Sequence, residues 1–223
     1  MVNYSISEEN YIKAIYHLQG AEGMVTTNAL SAELKTRPAS VTDMLKKLKT
    51  KKLLNYERYK GFRLSADGKR VALGIIRRHR LWEFFLSEKL KFSWDEVHEV
   101  AEELEHVTSK KLIDKLDEYL GFPRVDPHGD PIPDQQGRIV SPEQLPITDI
   151  PLNQPMEVSH VANQSAEMLD ILKHHHIAIG TKLEVKKKFS FDNSLEIRAG
   201  KHTPFTLSES VARFIWVRKT SKA

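Results

Sequence analysis

Cysteine is missing from all 223 residues. Its absence excludes disulfides, thiol nucleophiles and cysteine-ligated zinc, and it fits a reducing cytoplasm. Long apolar runs are missing too: none reaches the roughly 20 residues that a membrane helix needs, and residues 1–9 lack the form of a signal peptide. Acidic residues are scarce in one region only. Between Arg37 and Arg80 stand 14 Lys+Arg and three acids, whereas Leu81 to Leu120 holds 11 acids against five lysines. The net charge of +4 hides this reversal. A basic block followed by an acidic one predicts a polyanion-binding module joined to a cation-binding one. With 40% hydrophobic and 29% charged residues, the chain has the composition of a globular cytosolic protein of two domains, or one with an appendage.

The acidic block centres on Val97-His98-Glu99-Val100-Ala101-Glu102-Glu103-Leu104-Glu105-His106-Val107. At roughly 100° per residue on an α-helix, His98, Glu102, Glu105 and His106 share an arc of about 100°. Val97, Val100, Ala101, Leu104 and Val107 take the opposite side, and Ser93-Trp94-Asp95-Glu96 reads as a capping box ahead of them. One face packs into a core, and the other gathers carboxylates and imidazoles. The blander alternative is a solvated acidic face on a surface helix. A zinc-protease H-E-x-x-H fails, because Glu102 stands where the second His belongs. Oxygen and nitrogen donors without sulfur suit Mn²⁺, Fe²⁺, Co²⁺ or Zn²⁺.

Upstream, Ser7 reads as the N-cap of a first helix whose stripe is Tyr11, Ile12, Ile15 and Leu18. Thr26-Thr27-Asn28 caps a short helix from Ala29 to Leu34, and Pro38 opens a third. In that third helix Val41, Leu45 and Leu48 face inward. The outer face starts with Arg37, Pro38, Ala39, Ser40, Thr42 and Asp43 and ends with Lys46 and Lys47, as suits a recognition helix in a major groove. Two short strands around Lys60-Gly61 form a hairpin carrying Arg58, Lys60 and Arg63. Three helices and a basic hairpin are the winged helix-turn-helix order; the alternative is a small helical domain with a solvated basic face.

A long helix then runs from Ser65-Ala66-Asp67 to about Lys89 and puts His79 and Glu83 one turn apart. Another follows from Ser109 to Leu120, stopped by Gly121 and Pro123. Asp126-Pro127-His128-Gly129-Asp130-Pro131-Ile132-Pro133 is a linker or ordered loop. Beyond it, strands at Met156–Val161, Lys182–Phe191, Leu195–Arg198 and Phe214–Val217, with a helix from Gln164 to His174, predict a small β-barrel. The internal His174-His175-His176 is no affinity tag and only a weak metal motif.

With Arg78-His79-Arg80-Leu81-Trp82-Glu83, the 97–107 segment and the 127–133 loop in order, the chain resembles the diphtheria toxin repressor family of iron-dependent and manganese transport regulators. The likeness is specific from Ser7 to Pro133 and looser through a C-terminal SH3-like, FeoA-type barrel. It implies a winged helix-turn-helix domain (1–70), a helical metal-binding and dimerisation domain (71–140) and the barrel (141–223). It further implies a cytoplasmic homodimeric repressor, not an enzyme, that binds palindromic double-stranded operators of metal-uptake genes and touches no membrane. The primary metal site carries over to Asn10, Glu102, Glu105 and His106, and the ancillary site to His79, Glu83 and His98. Gln164, Glu167 and Asp170 are the barrel's candidates to complete the latter. In some manganese-sensing relatives the loop serves instead, which here offers Asp126 and His128 beside Glu83. Iron-type members have Met and Cys at the positions of Asn10 and Glu102, and manganese-type members Asp and Glu. Glu102 therefore favours Mn²⁺ over Fe²⁺, with Zn²⁺ or Co²⁺ as substitutes, while Asn10 fits neither pattern. The rivals are a winged-helix factor indifferent to metal and a metallo-hydrolase built on His79, His98 and His106.

Overall fold

The computed structural model describes residues 4–20, 23–57, 59–106, 109–140 and 142–220. Arg58 of the predicted hairpin and Val107 of the predicted acidic helix lie outside the described residues. The chain divides into two compact units: residues 1–79, 102–116 and 133–138 form the first, and 80–101, 117–132 and 139–223 the second. Among the described residues no helix is long and apolar enough to cross a membrane.

The first unit opens with α1 (Ile6–Gln19), which begins before the predicted Ser7 cap. Ser5 is the N-cap: Glu8 N–H donates to Ser5 Oγ at 3.3 Å, and Ser5 N–H donates to Glu8 Oε2 at 2.9 Å. Ser5 has Glu8 three residues on, and this reciprocal pair satisfies two otherwise orphaned amides. α2 (Thr27–Glu33) is capped by Thr26, and α3 (Pro38–Thr50) carries Pro38 at its first turn. β1 (Leu54–Glu57) and β2 (Gly61–Leu64) pair antiparallel, with Leu54 opposite Leu64. Phe62 and Val25 exchange backbone hydrogen bonds of 2.8 and 3.0 Å, fixing the hairpin to the segment before α2. Gly61 permits this approach, since at φ +116° a Cβ would lie 2.3 Å from the Val25 carbonyl oxygen.

Val41, Leu45 and Leu48 are buried as their spacing predicts, packed with Ile12, Ile15, Leu30, Phe62 and Ile75. Burying each such side chain contributes about 1.5–3 kcal/mol. That core holds α3 with its polar face outward.

Three helices follow: α4 (Ala66–Glu88), α5 (Val97–Leu104) and α6 (Lys110–Tyr119). α5 stops short of the predicted end, so Glu105 and His106 lie in the turn after it. The Glu105 carbonyl there accepts from Arg78 Nε at 2.7 Å. The predicted capping box at Ser93 forms a turn of its own, Ser93 N–H donating to Glu96 Oε2 at 3.0 Å, and α5 begins one residue later.

The second unit is built on a six-stranded antiparallel sheet in the order β3-β8-β4-β5-β6-β7. Its strands are β3 (Leu145–Pro146), β4 (Met156–Val161), β5 (Lys182–Lys188), β6 (Leu195–Ala199), β7 (Phe205–Leu207) and β8 (Ile215–Lys219). α7 (Ala166–His174) and the short α8 (Glu209–Ala212) accompany it. The expected barrel is corrected in one respect: the sheet bends through irregularities at Val158/His160 and Val185/Lys187, yet β3 and β7 stay as edges. At two and three residues these edge strands offer little ladder for closure. Alternating residues such as Val158, Val185, Ile197 and Val217 fill the core beneath it.

Candidate metal centres and nucleic-acid face

In the first unit the acidic cluster forms around Glu105, whose side chain has no solvent exposure. Its Oε1 lies 2.7 Å from Lys13 Nζ and 3.4 Å from His106 Nε2, and its Oε2 lies 2.7 Å from His79 Nδ1. Burial alone would push this carboxyl up, but the His79 imidazole and the Lys13 ammonium outweigh it and hold it below the usual carboxylate range. Glu102, half exposed, lies 3.4 Å from the same ammonium.

His106 is oriented from α1. Its Nδ1 donates to Glu9 Oε2 at 2.6 Å, and Glu9 Oε1 accepts from Arg78 at 2.7 Å. With Nδ1–H committed to a carboxylate, Nε2 is the ring atom left to face Glu105. A carboxylate behind an imidazole is the usual support of a metal-ligating histidine. Of the expected trio, Glu105 and His106 stand 3.4 Å apart, and Glu102 is linked to Glu105 through their shared partner Lys13. Asn10 is exposed, and the α1 residue that reaches His106 is its neighbour Glu9. Sequence reasoning missed Glu9, Lys13 and Arg78. The available signal was Glu9 and Lys13 at i and i+4 on the first helix, and Arg78 beside His79.

In the second unit Glu83, Asp126 and His128 are all buried, and one ligand atom from each lies within 4.8 Å of the others. His98 joins them, its Nδ1 3.2 Å from Glu83 Oε1. His128 Nε2–H donates to the Trp94 carbonyl at 3.0 Å, and burial pushes the imidazole toward its neutral form. The Nδ1 lone pair then points toward Glu83 Oε1, 4.0 Å away, with no hydrogen-bond partner. Asp126 Oδ1 accepts from the amides of His128 and Asp130 at 2.8 and 3.0 Å, holding the loop in shape. Burial, reinforced by the charges of Asp130 and Glu83, pushes the Asp126 carboxyl well up. Two acids and an imidazole lone pair converging in a buried space fit a divalent cation, whose charge would relieve that repulsion.

Gln164 comes near this group only through Asp130, donating to its Oδ2 at 2.6 Å. Arg80 and His160 hold the other oxygen at 3.0 and 3.5 Å. Glu167 and Asp170 are exposed on α7 and are not brought to Glu83. His79 stands one turn before Glu83 on α4, in the first unit, with its Nδ1 on Glu105.

On the outer face, Arg37, Pro38, Ala39, Ser40, Thr42, Asp43, Lys46 and Lys47 are all exposed, as is Lys60 of the hairpin, while Arg63 is partly covered. Thr42 Oγ1 donates back to the Pro38 carbonyl at 2.9 Å, and Lys46 pairs with Asp43 at 3.1 Å. The small side chains at the start of α3 leave its N-terminal turns open to an incoming groove.

Comparison with known proteins finds three consecutive family matches. Residues 4–62 match the iron dependent repressor N-terminal DNA binding domain. Residues 65–134 match the iron dependent repressor metal binding and dimerisation domain, and 145–219 the FeoA domain. The HTH-type transcriptional regulator MntR of Oceanobacillus iheyensis is 34% identical over 116 residues, 52% of this chain and 78% of that protein. The iron-dependent repressor IdeR of Mycobacterium tuberculosis is 30% identical over 158 residues, 67% of this chain and 68% of its own. Among solved structures, a manganese-dependent transcriptional repressor in complex with manganese superposes with a TM-score of 0.84 at 29% identity, covering 96% of this chain and all of that one. ScaR with bound Cd²⁺ gives 0.81 at 27% identity, over 96% and 99% of the two chains.

Proposed function

The chain belongs to the iron-dependent repressor family, and from that premise we propose that it is a DNA-binding transcriptional repressor, gated by Mn²⁺ or Fe²⁺, of metal-homeostasis genes. It acts in the cytoplasm as a homodimer on palindromic operators, as a regulator and not an enzyme. Its working parts are a DNA-reading domain (1–70), a metal-binding and dimerisation domain (71–140) and the FeoA-type domain (141–223). Exposed Leu90, Phe92, Tyr119 and Phe122 supply apolar surface for a subunit contact.

One observation carries the reading. α1 packs in the core that supports α3, and the same helix presents Glu9 and Lys13 to Glu105 and His106. Whatever cation the Glu105 cluster holds is therefore felt by the DNA-reading helices. Glu102, Glu105 and His106 would hold the primary ion, with Asn10 as the further candidate, and Glu9 keeps the His106 ring in the ligating tautomer. Glu83, Asp126, His128 and His98 would hold the second, with His79 one turn away. A bound divalent cation supplies two positive charges where acidic side chains otherwise repel. Glu102 is a hard donor and favours Mn²⁺ over softer ions.

A cation preferring one orientation of the recognition helices shifts the population by that preference and no further. In a dimer the productive orientation sets the two α3 helices about 34 Å apart, one turn of duplex. The test is binding to a labelled palindromic promoter with Mn²⁺, Fe²⁺, Zn²⁺ or EDTA. Stimulation by Mn²⁺ or Fe²⁺, abolished by EDTA and absent in a folded Glu105→Ala dimer, supports the reading. Equal binding in all four conditions would overturn it.

A further inference from the structure

We propose that Lys13 is a tethered cation that a divalent ion must displace from the Glu102–Glu105 pair, so that this lysine sets the metal concentration at which the protein responds. The inference rests on the assignment of Glu102, Glu105 and His106 as metal ligands. The Lys13 ammonium lies 2.7 Å from Glu105 Oε1 and 3.4 Å from Glu102 Oε1, with the side chain only 17% exposed. Glu105 Oε1 is also the oxygen that faces His106 Nε2, at 3.4 Å. The ammonium thus lies between Glu102 and the Glu105 oxygen that faces His106. His79 serves the other oxygen, Oε2, and Arg78 is engaged by Glu9 and the Glu105 carbonyl, so neither stands in Lys13's place.

A carboxylate with no solvent exposure needs a positive partner at all times, because leaving a buried charge unpaired is strongly unfavourable. Lys13 meets that need through its own chain. Binding a divalent ion then becomes an exchange, in which the ammonium gives up both carboxylates and swings toward solvent. Removing the ammonium should raise metal affinity, because it deletes the positive charge that competes with the ion for Glu105 Oε1 and Glu102 Oε1.

The experiment measures Mn²⁺ affinity of the full chain by competition with a fluorescent chelator, for wild type, Lys13→Met, Lys13→Gln and Lys13→Arg. Lys13→Met and Lys13→Gln should bind Mn²⁺ about tenfold tighter or more, the scale of one lost charged hydrogen bond. Lys13→Arg, which keeps the charge, should stay near wild type. Thermal unfolding provides a second readout: the neutral variants should melt below wild type in EDTA and recover in Mn²⁺. Lys13→Gln keeps a donor and stands in if Lys13→Met does not fold. Unchanged or weaker Mn²⁺ affinity in the folded neutral variants would overturn the proposal. Glu105→Gln separates the two ideas, since full Mn²⁺ stoichiometry in that variant would defeat the ligand assignment itself, whatever Lys13 does.

Discussion

His128 turns its unpartnered Nδ1 toward Glu83 Oε1 across 4.0 Å, while its Nε2–H is held by the Trp94 carbonyl. Glu83 Oε1 has His98 Nδ1 at 3.2 Å, and burial lowers the pKa of His128, so the Nδ1 lone pair is open to a cation that binds beside the carboxylate. The expected consequence is a second metal site independent of Glu105. Glu83→Gln should weaken the second Mn²⁺ by at least about tenfold, the scale seen even for supporting residues of metal sites. Equilibrium dialysis would show the loss of one of two ions; retention of both would refute this site.

The acid limb of stability gives a second prediction, through Glu8. Burial would raise its carboxyl, but Lys51 at 2.6 Å and the Ser5 amide hold it below its ordinary value near 4.5. A depressed folded value means the contribution is complete above the unfolded value and is lost as pH falls through the folded one. Glu8→Gln should therefore cost about 1 kcal/mol near neutrality, the usual worth of a helix cap. The gap to wild type should close as the pH drops below about 4.5. Urea unfolding at several pH values measures it. A gap that persists at low pH would mean that the charge of Glu8 is irrelevant.

Periodicity made the DNA-reading core legible: Val41, Leu45 and Leu48 recur at helical spacing and all three are buried. It failed at the end of α5, because a helical projection continues past Leu104 whether or not the backbone does, and the Arg78 contact to the Glu105 carbonyl is a long-range event. The same limit hid Glu9 and Lys13. Their spacing marks one face of α1, but their partners lie some 90 residues away in the chain. In the C-terminal part, β3 and β7 escaped notice because two- and three-residue strands carry no alternation to detect. The loop at 126–131 was visible as turn chemistry and, through the resemblance, as a source of ligands. That it would bury Asp126 and His128 could not be seen locally.

Lys46, Lys47, Ala39 and Ser40 are all exposed on the outer face of α3, and the proposed DNA complex would set the lysines on phosphates and the two small residues toward the bases. Lys47→Ala should weaken operator and random DNA alike and lower the salt dependence of binding by about 0.9 in log–log slope for one lost phosphate contact. Ser40→Ala should change operator preference and leave that slope intact. Fluorescence anisotropy from low to high salt distinguishes them. An unchanged slope in Lys47→Ala would move the DNA contact off this face.

Gly129 links the second cluster to the C-terminal sheet. Its φ is +87°, and a Cβ there would lie 1.9 Å from the Ser159 carbonyl oxygen and 2.8 Å from the His160 Cα. Next to it the His128 carbonyl accepts from Val161 N–H at 3.0 Å, so the loop bearing Asp126 and His128 rests directly on β4. The obstacle is backbone, which cannot rotate aside as a side chain would. Gly129→Ala must therefore push the loop from β4 and adopt a strained φ, a destabilisation larger than the roughly 0.4–1 kcal/mol that a tolerated Gly→Ala replacement gains. The expected result is a lower melting temperature together with loss of the Glu83-dependent ion, while the Glu105-dependent ion still binds. Calorimetry and Mn²⁺ stoichiometry on the same preparation decide it. If Gly129→Ala keeps both ions at wild-type affinity, the loop's seat on β4 does not position His128, and the C-terminal sheet has no part in the second site.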